Sequence, residues 1–253
     1  MNLTTRNSMR PGTPQFERPN VDLGGLEELG YLLIPVDSLR VLYANPRAKH
    51  PDFPLPNQDI GPRYFDAVMS GPDCEVEFGV WPNPPMGPVL RRGCLDTEGT
   101  GRGHFRGVVA VLTDGTVVVD RADGASEKDL FARFSSKDNP LVELCGGGAL
   151  LIENGRRVGT IDLRRNQLYG GLPGGIQARS MLPGTHLYIG IRKGKAYAGL
   201  SHGRSAKTMQ EDFRAFGFGS LIKFASGGNV YFDDGETRVL GQNPVGFGIK
   251  ARR

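Results

Sequence analysis

Residues 149–161 read ALLIENGRRVGTI: an apolar run, the dipeptide Asn154-Gly155, then a second run from residue 157 to 161. A two-residue hairpin turn that matches the twist of its strands needs positive φ at both central positions, and Asn-Gly adopts that with least strain. The same arrangement recurs on both sides. Residues 107–112 and 116–120 flank Asp114-Gly115, and residues 186–191 and 195–200 flank Lys193-Gly194. β-Branched and aromatic runs separated by such dipeptides read as antiparallel strands. Upstream, residues 31–36 and 40–44 read as two paired strands with a turn between them. Residues 75–81 alternate like a half-buried strand before the proline-rich turn at 82–85, and residues 244–250 form a closing strand.

Two segments carry a helical period instead. Ser126 with Asp129 three residues on is a variant of the capping box, opening a helix over 126–134 that places Leu130 and Phe131 beside the core. Ser205 caps a second helix over 205–216, whose Met209, Phe213 and Phe216 share one face and read as core packing before Gly217 and Gly219 end it. Strands and helices in this order imply an α+β fold, mostly antiparallel β-sheet with a few short helices. Residues 1–25 read as a Pro- and Asn-rich arm and 26–253 as a single domain, with a proline-rich loop over 45–62 and a glycine-rich link over 99–103. If the arm is ordered, its own domain or a neighbouring subunit holds it.

The chain has 253 residues, enough for a substantial core, and its 37 Gly and 18 Pro follow no repeat, which fits many turns between short strands. No run is long and apolar enough to cross a membrane, and the first twenty residues lack the apolar core of a secretory signal. The expectation is cytoplasmic synthesis without a signal peptide and no membrane partner. Cys74, Cys94 and Cys145 form no CxxC and have no His at ligand spacing, so they read as buried free thiols in a reducing compartment, with no metal and no cofactor. Asp233-Asp234-Gly235 lacks the further oxygen ligands of a calcium loop and reads as a hairpin turn. Residues 141–253 carry 16 Lys and Arg against 8 Asp and Glu (+8), while residues 1–140 carry 15 against 19 (−4). A nucleic-acid partner is not the expectation, because the aromatics are not interleaved with the basic residues. The basic half still leaves open a polyanion binder, whose affinity would fall steeply with salt.

From residue 141 the order of elements is informative. A strand ends in Cys145-Gly-Gly-Gly148, followed by the hairpin ALLIENGRRV and a polar stretch to Gln177-Ala-Arg-Ser180. Then come THLYIGIRKGKAYAGL, the capped helix and SLIKFASGGNVYF. This series resembles the phosphodiester glycosidase family over most of residues 107–250, and more faintly over 64–93. The resemblance places Arg179 at the family's arginine and Gly227-Gly228 at its paired glycines. It also marks two departures: Ser226 stands where the family has an acid before the glycines, and Ser70 where it has an early asparagine. Cleaving a sugar phosphodiester calls for a carboxylate, or a metal held by one, to manage protons or charge at the leaving oxygen.

The candidate catalytic residues are therefore Arg179, Ser226 and His202, and the candidate ligand-binding residues are Gly146, Gly147, Gly148, Gly227, Gly228 and Asn229. Arg179 suits a bidentate phosphate contact, or equally an ion pair with a neighbouring strand. The glycines can present backbone N–H groups to an anion, although glycines in sheets more often permit bulges and close packing. His186 reads as a satisfied structural residue and His202, just before the helix, as the better exposed of the two. The functional expectation is a degenerate phosphodiester-glycosidase-like domain acting in binding or assembly. Its partners would be a sugar phosphate or glycan, and copies of itself or other protein subunits, as in a phage virion or tail. The alternative is an active phosphodiester glycosidase that takes its carboxylate from Asp73, Glu75 or Glu77.

Overall fold

Two thirteen-residue strands, β1 (Tyr31–Tyr43) and β7 (Leu141–Glu153), organise the fold because each pairs with different neighbours along its two halves. The structure is a computed structural model that describes residues 23–43, 64–72, 85, 87–99, 106–163, 182–226, 230–241, 243 and 245–252, with only the backbone of 225 and 226. The shorter strands are β2 (Ala67–Ser70), β3 (Val89–Arg91), β4 (Cys94–Thr97), β5 (Gly107–Leu112), β6 (Val117–Arg121) and β8 (Arg156–Arg157). They continue with β9 (Gly184–Arg192), β10 (Lys195–Arg204), β11 (Ser220–Ser226), β12 (Phe232–Asp233), β13 (Arg238–Val239) and β14 (Val245–Ala251). The helices are α1 (Gly24–Glu28), α2 (Glu127–Phe134), the single turn α3 (Thr160–Asp162) and α4 (Ala206–Ala215).

The strands run in the order β13-β12-β2-β14-β1-β10-β9-β11-β7-β3-β4, with β5 and β8 also on β7 and β6 on β5. The fold is mostly antiparallel β-sheet with a few short helices. Residues 31–35 pair with β10 and residues 36–43 with β14, with a register irregularity between Val36 and Ser38. The two strands and intervening turn expected over 31–44 are thus one continuous strand. A bulge bends it, so that one strand feeds two sheets without reversing direction. Glu143, in the first half of β7, ties these long strands together: its buried carboxylate accepts from Arg40 Nη1 at 3.0 Å and from the Val41 amide at 3.1 Å.

The glycine triplet Gly146, Gly147 and Gly148 lies inside β7 where it changes partners, from β5 and β3 to β11. Gly147 has φ 104°, and a Cβ on Gly146 would lie 2.7 Å from the Pro88 ring. The turns mostly follow their residues. Asn154 and Gly155 take φ 51° and 73°, as their hairpin requires, and Lys193 and Gly194 take 48° and 71°. At Asp114-Gly115 only the glycine has positive φ (86°). Asp114 instead accepts the Thr116 amide at 2.8 Å, a side-chain-closed turn that does not need positive φ at 114. The second arm of the 149–161 hairpin is shorter than expected, because after Arg157 the chain turns into α3.

The main core joins Ile222, Phe224, Phe247, Leu150, Ile189 and Met209 with their neighbours, and a smaller one under α2 joins Leu130, Leu141, Leu144, Val108 and Leu90. Both halves of the capping box at Ser126 and Asp129 are present. Leu130 is buried as expected, but Phe131 is 40% exposed, since the next position along the helix faces away from the sheet. In α4, Ser205 caps, Met209 and Phe213 are buried, and the Phe213 ring meets Tyr31, Tyr188 and Phe218 edge-on at 4.7–4.9 Å. Cys145 is buried and burial pushes its thiol pKa up, whereas Cys94 is exposed on the short β4 and corrects the reading of all the cysteines as buried. Cys74 lies outside the described residues, as do the arm over 1–22 and the strand expected over 75–81. No helix among the described residues is long and apolar enough to cross a membrane.

Candidate functional site

β9 begins where β10 and β11 end, and antiparallel register sets three polar residues in a row across these strands. His186 is the direct partner of Ser201 on one side and of Ser226 on the other. The sequence alone could not relate Ser226 to a histidine, and the register does. His186 is buried, with Nε2 3.0 Å from the Leu182 carbonyl oxygen. Ser201 is also buried; its hydroxyl donates to the His186 carbonyl at 3.4 Å and points to the Met209 sulfur at 3.7 Å. With those partners Ser201 is not aligned with a base as an activated nucleophile must be. His202 is exposed beside it, its Nδ1 3.2 Å from Thr185 Oγ1. His202 and His186 are therefore neighbours along the sheet end but differ in exposure, as their sequence contexts suggested.

Lys223 is buried in β11, opposite Tyr188 on β9 and Ala149 on β7, and its Nζ donates to the Phe224 carbonyl at 3.0 Å. Burying an ammonium without compensating polar contacts is costly, so its location is informative. Sequence reading missed Lys223, although a lone charge within Leu221-Ile-Lys-Phe224 was a visible signal. It also missed Ser201 and Thr185, which carry no signal until the register brings them beside His186 and His202.

The other sheet meets this end through the segment after β11. Phe224 packs against Phe247 of β14, with ring centroids 4.9 Å apart. The Tyr231 amide donates to Ser70 Oγ at 2.9 Å, and the Ser70 amide donates to the Tyr231 carbonyl at 2.8 Å. Tyr231, five residues after Ser226, is thus held at the end of β2. Arg179, Gly227, Gly228 and Asn229 lie outside the described residues, as do Asp73, Glu75 and Glu77. The segment that carries Arg179 rejoins the described chain at Leu182, whose carbonyl is held by His186.

Gly146, Gly147 and Gly148 lie at the β7 changeover, immediately before Ala149, the partner of Lys223. The Gly146 amide donates to the Pro88 carbonyl at 2.9 Å, and the Gly147 carbonyl accepts from the buried Arg106 at 3.1 Å. Their geometry is that of close packing between strands. Asp233 and Asp234 form a hairpin turn between β12 and β13. Asp233 accepts the Gly235 amide and pairs with Arg238 at 3.3 Å, and Asp234 accepts the amides of Glu236 and Thr237.

No protein-family model matches the sequence. No curated protein is detectably similar to it. Solved structures do share its fold. The catalytic domain of zebrafish N-acetylglucosamine-1-phosphodiester α-N-acetylglucosaminidase, in a form auto-inhibited by its pro-peptide, superposes with a TM-score of 0.61 at 16% identity, over 85% of this chain and 73% of that one. A hypothetical protein from Synechocystis superposes with a TM-score of 0.50 at 12% identity, over 88% of this chain and 61% of that one. At such identities the likeness speaks for the fold and not for the activity. The chain thus has the fold of a phosphodiester glycosidase catalytic domain, to which its structural relationship is remote.

Proposed function

We propose that this is a phosphodiester-glycosidase-like domain used for binding or assembly, without appreciable hydrolysis. The observation that carries the reading is Ser226. It ends β11 opposite His186, at the position where the resemblance calls for an acid. Among the described residues, the strand ends that meet here supply Ser, His, Thr, Lys and Arg but neither Asp nor Glu. A site of that composition can hold an anion, and its described residues offer no carboxylate to shuttle protons to a leaving oxygen. The ligand class is a sugar phosphate or a phosphate-bearing glycan. Arg179 supplies a bidentate contact, Gly227, Gly228 and Asn229 supply backbone N–H groups, and His202 lies at the rim. In this reading the domain is a subunit of a larger assembly, such as a virion or tail.

The test is incubation of the purified protein with aryl and sugar phosphodiesters, alongside calorimetric titration with a sugar phosphate. Saturable binding lost in Arg179→Ala, with no turnover above buffer, is the expected result. Robust turnover abolished by Arg179→Ala would overturn it. Light scattering over a range of concentrations checks the assembly half, which a monomer at every concentration would contradict.

One observation favours the second reading, an active hydrolase. The Ser70–Tyr231 pair fastens the strand that leads to Asp73 onto the segment that follows Ser226. In that reading Asp73, Glu75 or Glu77 supplies the carboxylate, and turnover falls in Asp73→Asn or its neighbours' amide variants.

A further inference from the structure

The end of the sheet opposite Ser226 and His186 is built from three turns locked together by backbone hydrogen bonds. Gly155 of the β7–β8 turn donates to the Gly219 carbonyl at 2.8 Å, and Gly219 donates to the Ile191 carbonyl, also at 2.8 Å, at the β9–β10 turn. Arg192 Nε donates to the Phe216 carbonyl at the α4 terminus at 2.8 Å. Among the described residues these turns carry Arg156, Arg157, Arg192, Lys193, Lys195 and Arg214, against three carboxylates, Glu153, Glu211 and Asp212. All three carboxylates have partners: Glu153 pairs with Arg121, Glu211 with Arg157, and Asp212 accepts from Tyr31 and lies 4.0 Å from Arg204. Five of the six basic residues are exposed and Arg192 is half-buried.

The β9–β10 turn is not the most stable solution for a hairpin. Arg192 and Lys195 are direct cross-strand partners, an arrangement in which like charges repel. Lys193 has φ 48°, in the left-handed region where the equivalent residue of the β7–β8 turn is Asn154. Strain and repulsion gathered at one exposed turn point to a function served by the charge itself.

We propose that this basic end docks duplex nucleic acid through its phosphates, without reading sequence. Adjacent strands lie about 4.8 Å apart, so the four steps from β10 across β9, β11 and β7 to β8 spread the cations over roughly 19 Å. That is wide enough to meet phosphates on both sides of a major groove about 12 Å across. A protein partner would call for an apolar centre to its interface. Among the described residues, none of the large exposed hydrophobics lies on these three turns. A single strand would call for aromatic platforms, and the nearest rings, Phe216 and Phe218, are half-buried and buried. The absence of interleaved aromatics, which spoke against nucleic acid in the sequence, thus speaks against single-stranded recognition and leaves phosphate contacts to a duplex. The surface is independent of the proposed ligand site, since the six residue steps of β9 from His186 to Arg192 separate the two by roughly 20 Å.

The experiment is fluorescence anisotropy of a labelled mixed-sequence DNA duplex with the full chain, at 50 and 200 mM salt. About four phosphate contacts give an affinity loss of roughly a hundredfold between those conditions. Lys193→Asn/Lys195→Glu should weaken binding by about tenfold or more at low salt. Asparagine suits the positive φ at 193 and a glutamate at position 195 would attract Arg192, so this variant should melt at or above the wild type. Lys207→Glu, at the other end of α4, should leave binding unchanged. The proposal is overturned by affinity flat in salt, by undiminished binding in the 193/195 variant, or by poly-glutamate competing as well as unlabelled duplex, which would assign the surface to an acidic protein.

Discussion

Replacing Gly148 with alanine tests whether packing explains the glycine triplet. The added Cβ would lie 2.6 Å from Cδ1 and 2.7 Å from Cγ1 of Ile222, and 2.9 Å from Cε1 of Phe224. Carbon atoms prefer about 3.5–4.0 Å. Ile222 is fully buried and also fills the space above Gly107, so it has little room to withdraw. Overpacking of this kind costs about 1–3 kcal/mol, and several simultaneous contacts place Gly148→Ala at about 2–3 kcal/mol. For a chain of this size that lowers Tm by roughly 5–10 °C. Ile222→Ala alone opens a cavity and costs about 2–5 kcal/mol. If the glycine is there for packing, the new methyl enters that cavity. The double variant is then less destabilised than the sum of the singles, with a coupling of at least about 1 kcal/mol. Urea unfolding of the four proteins gives the cycle directly. Additive losses, or Gly148→Ala unfolding together with the wild type, would refute the packing argument.

Three further outcomes follow from named contacts. Burial raises the pKa of Glu143, against the opposing pull of Arg40 and the Val41 amide. Its contribution to stability is therefore fully present below the unfolded carboxyl pKa and is lost as pH rises through the folded value. Glu143→Gln should gain on the wild type as unfolding is followed from pH 4 to 7, and a difference flat in pH would contradict this. Ser70→Ala leaves the Tyr231 amide without its acceptor, which should cost about 1–3 kcal/mol in unfolding experiments and loosen the segment after Ser226, seen as faster amide exchange there. Ser126→Ala removes the N-cap of α2 and should cost about 1 kcal/mol, read from the thermal midpoint, with Ser126→Asp restoring most of it.

Much of the fold was legible because its signals are local. Asn154-Gly155 and Lys193-Gly194 fixed two hairpins, and Ser126 and Ser205 marked helix starts, through the conformational preferences of a few adjacent residues. The readings that failed needed distant partners. Whether residues 31–44 turn back or bend depends on β10 and β14 lying in two different sheets, which the strand's own sequence does not encode. Phe131 looked like a core residue by its chemistry, yet the rotation of α2 on the sheet leaves it partly in solvent.

The candidate site divides in the same way. The sequence by itself determined the residue types: a serine at 226 where the resemblance calls for an acid, paired glycines after it, and a basic second half. The tertiary structure decided who meets whom. It put His186 between Ser226 and Ser201, buried Lys223 nearby, tied Ser70 to Tyr231, and gathered six basic side chains at the far end of the same strands. The physical reason is that residue chemistry and turn geometry are properties of a few neighbouring positions. Cross-strand register is set by burying one continuous core, and one residue of slip would turn every side chain of a strand to the other face.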